Sequence, residues 1–222
     1  MPQAPDPAAS RPDTRARLVE AARHLFWEKG YLSTSIADIL GRAGVNAGSL
    51  YHFFPAKQDL LLAVLEQYRV GIRPMLLAPA WAGVKDPIER VFALLARYRA
   101  AMEQTDCTYG CPIGSLALEL HEPDPVVREA LAVNFDGWVK EVAACFREAA
   151  ARLPADADPE RLAAFALVTM EGGVMLARTY RDPSWFDRAV AELRAHVEAL
   201  LARAPSPSPR RMRSARRRGA RR

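Results

Sequence analysis

A run of small residues, Asn-Ala-Gly-Ser at positions 46 to 49, opens a short predicted helix that ends near Phe53. Small side chains at a helix N terminus leave unpaired backbone N–H groups and the positive end of the helix dipole accessible to an anion. Ser49, Tyr51 and His52 are predicted to face outward, whereas Leu50 and Phe53 are predicted to face the core. These residue types favour non-covalent binding in a groove lined by phosphates.

Two cysteines that flank a predicted helix boundary, Cys107 and Cys111, are candidates for thiol chemistry. A cysteine just before a helix N terminus is in a setting that lowers the pKa of a thiol. Cys111 is therefore a candidate sensor of electrophiles or oxidants. The alternative is a small, semi-buried capping residue, and the sequence leaves both open.

The helix that begins at Ala47 is the second of two short helices joined by a turn. Ser35 and Asp38 have the spacing of a capping box, with Asp in place of Glu, and begin the first helix. Gly44 can end that helix in a left-handed conformation, and Asn46 can cap the next one. The pattern predicts a helix-turn-helix, which is typical of proteins that bind duplex DNA.

Residues 14 to 60 resemble the DNA-binding domain of the TetR family of bacterial transcription regulators (TetR/AcrR type). The resemblance is carried by these segments of the sequence: Phe26-Trp27-Glu28-Lys29-Gly30-Tyr31, then Thr34-Ser35-Ile36-x-Asp38-Ile39, then Ala43-Gly44-Val45-x-x-Gly48-Ser49-Leu50-Tyr51-x-x-Phe54-x-x-Lys57-x-x-Leu60. It implies an all-α fold, in which a three-helix helix-turn-helix domain precedes a larger helical domain for ligand binding and dimerisation.

The resemblance also implies which residues contact DNA. By matching position, the residues expected on phosphates are Thr34, Ser35, Tyr51, His52 and Lys57, and those expected near base edges are Ala47, Gly48 and Ser49. Asn46, at the start of the same helix, completes the set. Family members often carry Ser or Thr followed by Lys or Arg where this chain has Asn46-Ala47, so the operator sequence cannot be copied from a relative.

The positive charge of the chain lies outside this motif. The formal net charge is +5, but residues 210 to 222 contain eight Arg and no acid, so residues 1 to 209 carry a net charge of −3. Residues 1 to 12 and residues 204 to 222 have compositions that predict disorder. We expect the helix-turn-helix domain at 13 to 57 and the helical domain at 58 to 203. The Arg-rich tail could add phosphate contacts or be a solvated tail without a dedicated role.

A repeated dipeptide marks the starts of helices in the second domain. Asp-Pro occurs at positions 86, 124, 158 and 182, and each pair combines an N-cap carboxylate with a proline that is tolerated at the first helical position. With these marks the sequence predicts nine helices, near 14 to 29, 35 to 41, 47 to 53, 56 to 72, 87 to 105, 112 to 121, 125 to 152, 159 to 181 and 184 to 203.

The eighth predicted helix is apolar on all sides. Between Leu162 and Ala177 only Thr169 and Glu171 are polar, so one face can pack on its own domain while the other requires a partner. A buried central helix of a monomer would explain the pattern equally well. The resemblance favours a homodimer, in which the helices near 159 to 181 and 184 to 203 pair with their copies, and two-fold docking on DNA favours the same arrangement.

Large, adaptable side chains on the middle helices indicate a pocket for a small-molecule effector, although plain core packing would give the same pattern. The candidate ligand-binding residues are Tyr98, Met102, Cys107, Tyr109, Cys111, Phe135, Trp138, Met170, Glu171 and Met175. A carboxylate is costly to bury alone, so Glu171 is expected to pair with a basic residue such as Arg178 or to meet a polar or cationic ligand.

Several functional classes receive no support from the sequence. Neither a phosphate-cradling glycine loop nor a nucleophile-base motif occurs, so we expect no enzyme, no cofactor and no metal site. No signal peptide is recognisable, and the apolar runs are too interrupted to predict a membrane span, so a cytoplasmic protein with reduced thiols is expected. The sequence therefore predicts a ligand-responsive DNA-binding regulator, expected to be a repressor that leaves a palindromic operator on binding a small molecule or on thiol modification. The alternative is a helical ligand-binding or protein-interaction module with a vestigial helix-turn-helix.

Overall fold

The computed structural model describes residues 13 to 120 and 122 to 203, and these residues form an all-α fold without a strand. The predicted terminal segments, 1 to 12 and 204 to 222, lie outside the described residues. The helices are α1 (Thr14–Lys29), α2 (Ile36–Ala43), α3 (Ala47–Phe53), α4 (Lys57–Gly71), α5 (Ala78–Trp81), α6 (Pro87–Gln104), α7 (Pro112–Glu119), α8 (Pro125–Glu148), α9 (Pro159–Tyr180) and α10 (Ser184–Arg203).

The Asp-Pro pairs start helices as the sequence predicts. The carboxylates of Asp86, Asp124 and Asp158 accept hydrogen bonds from the first free N–H groups of α6, α8 and α9. Asp182 Oδ1 accepts one from Ser184 N at 2.9 Å and so caps α10. Because each cap is a local contact within two or three residues, the sequence alone is sufficient to find it.

The segment after α4 differs from the prediction. A helix ending at 72 was expected, but a π-helical turn (Ile72–Leu77) continues α4 and leads into the one-turn helix α5. Pro74 lies inside this turn and has no N–H to give to a regular α-helical ladder, which explains why the helix changes its hydrogen-bonding pattern here. The predicted helix over 125 to 152 likewise ends early, at Glu148, before a 3-10 turn (Ala150–Arg152).

Two hydrophobic cores hold the helices together. The first joins α1, α2 and α3 to the buried face of α4, where Leu61, Val64 and Leu65 are almost fully buried. It continues into α7 and α8 through Ile113, Leu116 and neighbouring side chains. The second core lies among α6, α8, α9 and α10. Since the first core crosses from the N-terminal helices into α7, a movement of α7 would reach the helix-turn-helix directly.

Candidate DNA interface and effector cavity

The helix-turn-helix is held by caps at both of its helices. Ser35 Oγ accepts from Asp38 N at 3.1 Å, and Asp38 Oδ2 accepts from Ser35 N at 2.9 Å, which completes the capping box. Gly44 ends α2 with φ of 62° and ψ of 42°, a left-handed conformation that favours glycine. Asn46 Oδ1 accepts from Ser49 N at 2.9 Å and so caps α3. The structure thus contains the predicted turn, with the capping hydrogen bonds and the left-handed glycine that the sequence indicated.

The outer face of α3 is small and accessible at its N terminus. Leu50 is fully buried and anchors the helix, whereas Ala47 and Gly48 are exposed and Ser49 is half-buried. Tyr51 is 54% exposed, an unusual fraction for a large aromatic side chain, and His52 beside it is exposed as well. The backbone of this helix can therefore approach a groove closely, with two larger side chains at its flank.

Two of the predicted DNA-binding residues have side chains engaged inside the protein. Thr34 is only 1% exposed, and its hydroxyl donates to Gly30 O at 2.7 Å, so the expected phosphate contact by this side chain does not fit its position. Lys57 Nζ donates to Tyr31 O at 2.5 Å and lies 4.3 Å from the centre of the Tyr31 ring. Lys57 thus stabilises the turn before α2, a role that the family motif does not reveal.

A carboxylate at the end of α7 binds this same turn. Glu119 Oε2 accepts from Tyr31 N at 2.8 Å, and Glu119 Oε1 accepts from Leu32 N at 2.7 Å. Gly30, just before them, has φ of 87°, and a Cβ at this position would lie 2.8 Å from Glu119 Oε1. Nearby, Trp27 Nε1 donates to Gly110 O at 3.0 Å. These contacts fasten the helix-turn-helix to both ends of α7, at Glu119 and at Gly110 just before the helix.

The middle helices enclose an apolar cavity of about 210 Å³. Six of the residues predicted for ligand binding line it: Tyr98, Cys111, Phe135, Trp138, Met170 and Glu171. Met175 lines a second, more open cavity, which shares Cys111, Phe135 and Glu171 with the first. Glu171 therefore stands between the two spaces.

Three predicted ligand-binding residues do not line either cavity. Met102 and Cys107 are buried in the second hydrophobic core, and the pKa of the Cys107 thiol is raised by burial. Tyr109 packs against Trp27, with ring centres 4.5 Å apart. Met102 lies on α6, whereas Cys107 and Tyr109 lie between α6 and α7, and the sequence could not tell core from cavity wall.

Part of the cavity wall was missed by sequence reasoning. It comes from the end of α4 and the π-helical turn, and it consists of Tyr68, Gly71, Ile72, Met75 and Leu76. Two residues in this stretch, Gly71 and Pro74, disfavour a regular helix and could have signalled an interruption. The remaining wall residues missed are Pro112, Ile113, Asn134 and Leu167.

Glu171 has no basic partner, contrary to the pairing with Arg178 that the sequence favoured. Its Oε1 atom is buried without a hydrogen-bond partner among the described residues, and Glu171 forms no ion pair there. Its Oε2 atom faces Gly114, where an added Cβ would lie only 2.1 Å away. Burial raises the pKa of the Glu171 carboxyl above its ordinary value, and the neighbouring Cys111 thiol opposes that shift.

Cys111 does not have the activated thiol that its place before α7 suggested. Burial, and then the adjacent Glu171 carboxylate, raise the pKa of the Cys111 thiol well above its ordinary range. The backbone N–H groups of Gly114 and Ile113 act in the opposite direction but more weakly. The helix N terminus is thus outweighed by desolvation and a like charge. The thiol is neutral at neutral pH, which makes it a poor nucleophile.

The outer surface of α9 is apolar over much of its length. Phe165, Val168 and Met175 are 44%, 68% and 47% exposed in the single chain. On the opposite side, Gly173 lies against Phe186 of α10, where an added Cβ would be 2.9 Å from that ring. Close packing on α10 therefore covers one face of α9 and leaves the other without a partner in one chain, as the sequence predicts.

By length and composition, α9 could also cross a membrane, although the apolar runs of the sequence were expected to be too interrupted for a span. In the structure it packs between α8 and α10 with its small residues against neighbouring side chains. The central helix of a water-soluble helical domain meets the same criterion, so α9 is weak evidence of a span. Elsewhere in the described ranges, no group of three His, Cys, Asp or Glu side chains has the arrangement of a metal site.

Two family models match the chain on either side of α5. Residues 18–64 match a model described as bacterial regulatory proteins, tetR family, and residues 87–204 match one described as tetracyclin repressor-like, C-terminal domain. The first covers the helix-turn-helix and the start of α4. The second covers most of the helices that form the cavity.

Relatives and solved structures agree with these models. An uncharacterized HTH-type transcriptional regulator of Mycobacterium tuberculosis is 34% identical over 200 residues, which are 87% of this chain and 97% of the relative. The HTH-type transcriptional repressor DhaR of a Mycobacterium species is 28% identical over 194 residues, 86% of this chain and 94% of DhaR. A crystal structure of regulatory protein TetR from Rhodobacter sphaeroides superposes with a TM-score of 0.74 at 30% identity, covering 82% of this chain and 98% of that one.

The capped helix-turn-helix and the helical domain that follows it occur together over nearly the whole length of these relatives. The expectations of an all-α fold and of the family are both confirmed. The chain belongs to the TetR family of bacterial transcription regulators, and it regulates transcription by binding DNA.

Proposed function

We propose that this regulator is an effector-controlled repressor that binds a near-palindromic operator as a homodimer in the cytoplasm, without enzymatic activity. The observation that carries the proposal is the position of α7 between the cavity and the helix-turn-helix. At its N-terminal end, Cys111, Pro112 and Ile113 line the cavity. At its C-terminal end, Glu119 accepts two hydrogen bonds from the turn before α2.

This arrangement supports coupling between the effector and DNA. A ligand that occupies the cavity acts on the first turn of α7, and α7 is only eight residues long. A shift of so short a helix reaches Glu119, and through Tyr31 and Leu32 it reaches α2 and α3. A ligand with different affinities for two positions of α7 would change the DNA affinity by the same coupling free energy, typically about 1 to 3 kcal/mol.

The homodimer is supported by the apolar face of α9. Val168, Met175 and Phe165 are too exposed for a stable monomer surface, and a two-fold copy would cover them. Two copies of α3 would then reach successive major grooves of one operator.

The candidate phosphate contacts are Ser35, Asn46, Tyr51 and His52, and the candidate base contacts are Ala47, Gly48 and Ser49. Repression is supported by the family relationship to DhaR, which is described as a repressor.

A small molecule is a better candidate effector than a thiol-modifying reagent. Burial and the neighbouring Glu171 carboxylate raise the pKa of the Cys111 thiol, so the nucleophilic thiolate is scarce. The cavity, in contrast, is open enough and apolar enough to receive an organic ligand without a chemical step.

The test is a titration of fluorescent DNA from upstream of the protein's own gene, read by anisotropy at about 0.1 M salt, with competitor DNA. The full chain should bind with two protomers per operator. Tyr51→Ala should weaken binding about tenfold, because the exposed ring and hydroxyl at the α3 flank are lost. Val126→Ala, an equally exposed substitution on α8, is the matched control and should leave affinity unchanged.

A variant that ends at residue 203 separates the motif from the Arg-rich tail. Specific binding should persist in this shortened chain, with a weaker dependence on salt. If Tyr51→Ala binds as tightly as the parent in the shortened chain, the proposed interface is wrong. If the shortened chain does not bind at all, the tail and not the helix-turn-helix is the DNA-binding element.

A further inference from the structure

The smaller cavity combines aromatic walls with one carboxylate that has no ion-pair partner among the described residues. Four aromatic side chains line it, namely Tyr68, Tyr98, Phe135 and Trp138. Glu171 is the one acidic residue of the wall, and no Lys or Arg lines this cavity. Its Oε1 atom is buried and has no hydrogen-bond partner among the described residues. A carboxylate in such surroundings is costly to keep charged unless something positive reaches it.

The charge of the wall discriminates among ligand classes. An anionic ligand in this cavity would meet a like charge at Glu171, so the cavity disfavours it, whereas two cations, Arg178 and Arg181, line the second cavity instead. A neutral apolar ligand would fill the space but leave Oε1 without a partner. A protonated amine would donate hydrogen bonds to the carboxylate and lie against aromatic faces, which attract cations through their π-electron density.

The size of the cavity restricts the ligand further. At about 210 Å³ it is smaller than the roughly 300 to 1,000 Å³ of sites for drug-sized molecules. A ligand with a single ring or a short branched chain fits that space, and a larger ligand would extend into the adjoining cavity of about 690 Å³ that shares Glu171. The Trp138 indole N–H lies near the Tyr98 hydroxyl and is buried without a hydrogen-bond partner among the described residues.

We propose that the effector is a small organic cation, a protonated amine on an aromatic or apolar frame, held by Glu171 and by the rings of Tyr98, Phe135 and Trp138. This inference rests on the proposed effector-controlled function and names its ligand class. The amine pairs with Glu171 Oε1 at the boundary between the two cavities, next to Cys111 at the start of α7. Its arrival therefore changes the charge balance at the first turn of α7.

The test is calorimetric titration of the full chain, free of DNA, at pH 7.5 with three probes of matched shape. These are 2-phenylethylamine, 2-phenylethanol and 3-phenylpropanoate, which are cationic, neutral and anionic. The amine should bind at least about tenfold more tightly than the alcohol, and the carboxylate should bind weakest, because a charged hydrogen bond to a buried group is worth a factor of this size.

Substitutions at Glu171 then locate the preference. Glu171→Gln should abolish the preference for the amine over the alcohol. Glu129→Gln, on the exposed side of α8, is the matched control and should leave the ranking unchanged. Circular dichroism checks that the variants are folded. If Glu171→Gln is unfolded, the ranking of the three probes in the parent chain still tests the proposed ligand class.

Three outcomes would overturn the proposal: the alcohol or the carboxylate binding as tightly as the amine, an amine preference that survives in Glu171→Gln, or no binding of the amine. None of them depends on DNA. A chain that fails this test can still bind its operator, so failure of the ligand class is distinguishable from failure of the proposed function.

Discussion

The polar groups of the helix-turn-helix and those of the effector cavity differ in whether they have hydrogen-bond partners. In the first, Thr34, Asn46 and Asp38 all have hydrogen-bond partners, and even the turn before α2 is bound by Glu119. In the second, Glu171 Oε1 and Trp138 Nε1 are buried without partners among the described residues. Satisfied groups hold a backbone in one conformation, whereas unsatisfied ones raise the energy of the empty state. The DNA-binding part is thus built to present a fixed surface, and the cavity is built to be completed by something else.

The pKa values of two glutamates, Glu20 and Glu171, shift in opposite directions for the same reason. Glu20 in α1 accepts hydrogen bonds from Arg23, which lower its pKa to about 2. Glu171 in α9 forms no ion pair within the part of the chain that the structure describes, and burial raises its pKa. The first carboxylate stabilises the fold when it is charged, and the second does so when it is neutral.

The largest effect is expected from a substitution at Gly30, in the hydrogen-bonded turn before α2. Gly30 has φ of 87° and ψ of 161°, a conformation that is essentially restricted to glycine, and a Cβ there would meet Glu119 Oε1. Gly30→Ala should lower the free energy of unfolding by about 3 kcal/mol in urea titrations. Gly137→Ala, where an added Cβ has open space on α8, should instead raise it by up to roughly 1 kcal/mol. Equal effects of the two substitutions would show that the turn is not constrained.

A smaller effect is expected at the cap of α3, where Asn46 allows folding and DNA contact to be separated. Asn46→Ala removes the acceptor for Ser49 N and should cost about 1 kcal/mol in the same titrations. Asn46→Asp keeps an acceptor and adds a charge that the helix dipole favours, so stability should be retained. Operator affinity, read by anisotropy, should nevertheless fall about tenfold for Asn46→Asp, because the new charge faces phosphates. Unchanged affinity would remove position 46 from the interface.

The smallest effect is expected from titrating the two glutamates, and its sign differs between them. Glu20 contributes stability above its unfolded pKa of about 4.5, and this is lost as pH falls toward about 2. Since Glu20 is half exposed, its pair with Arg23 is worth at most about 1 kcal/mol. Glu171 behaves in the opposite way, because its pKa is raised, and its contribution is lost as pH rises above about 4.5.

Urea unfolding of the parent chain, Glu20→Gln and Glu171→Gln at pH 4, 5.5 and 7.5, at one protein concentration, measures how each glutamate contributes to stability. Relative to its variant, the parent chain should gain stability with rising pH at Glu20 and lose it at Glu171. The same sign at both sites would contradict the contrast between a paired and an unpaired carboxylate.

Much of the fold was predictable because its signals are local. The Asp-Pro pairs, the Ser35–Asp38 capping box and Gly44 each act within a few residues, and all of them appear in the structure where the sequence indicated. The π-helical turn after α4 was not predicted, because Pro74 changes the hydrogen-bond register without ending the helix. For the same reason, the cavity residues that this turn contributes were missed.

The sequence by itself determined the helix-turn-helix and the order of the helices, since caps, turns and periodicity are properties of neighbouring residues. It left open whether the apolar helix α9 is a buried central helix or has an outward apolar face, and the structure shows Phe165, Val168 and Met175 exposed in one chain. The tertiary structure alone decided that Met102 lies in the core while Met75 lines the cavity, because that depends on how helices cross. It also decided that Glu171 lacks a basic partner among residues 13 to 120 and 122 to 203, and that Glu119 binds the backbone of Tyr31, 88 positions away along the chain. Contacts across such separations depend on the packing of helices, and no local pattern records them.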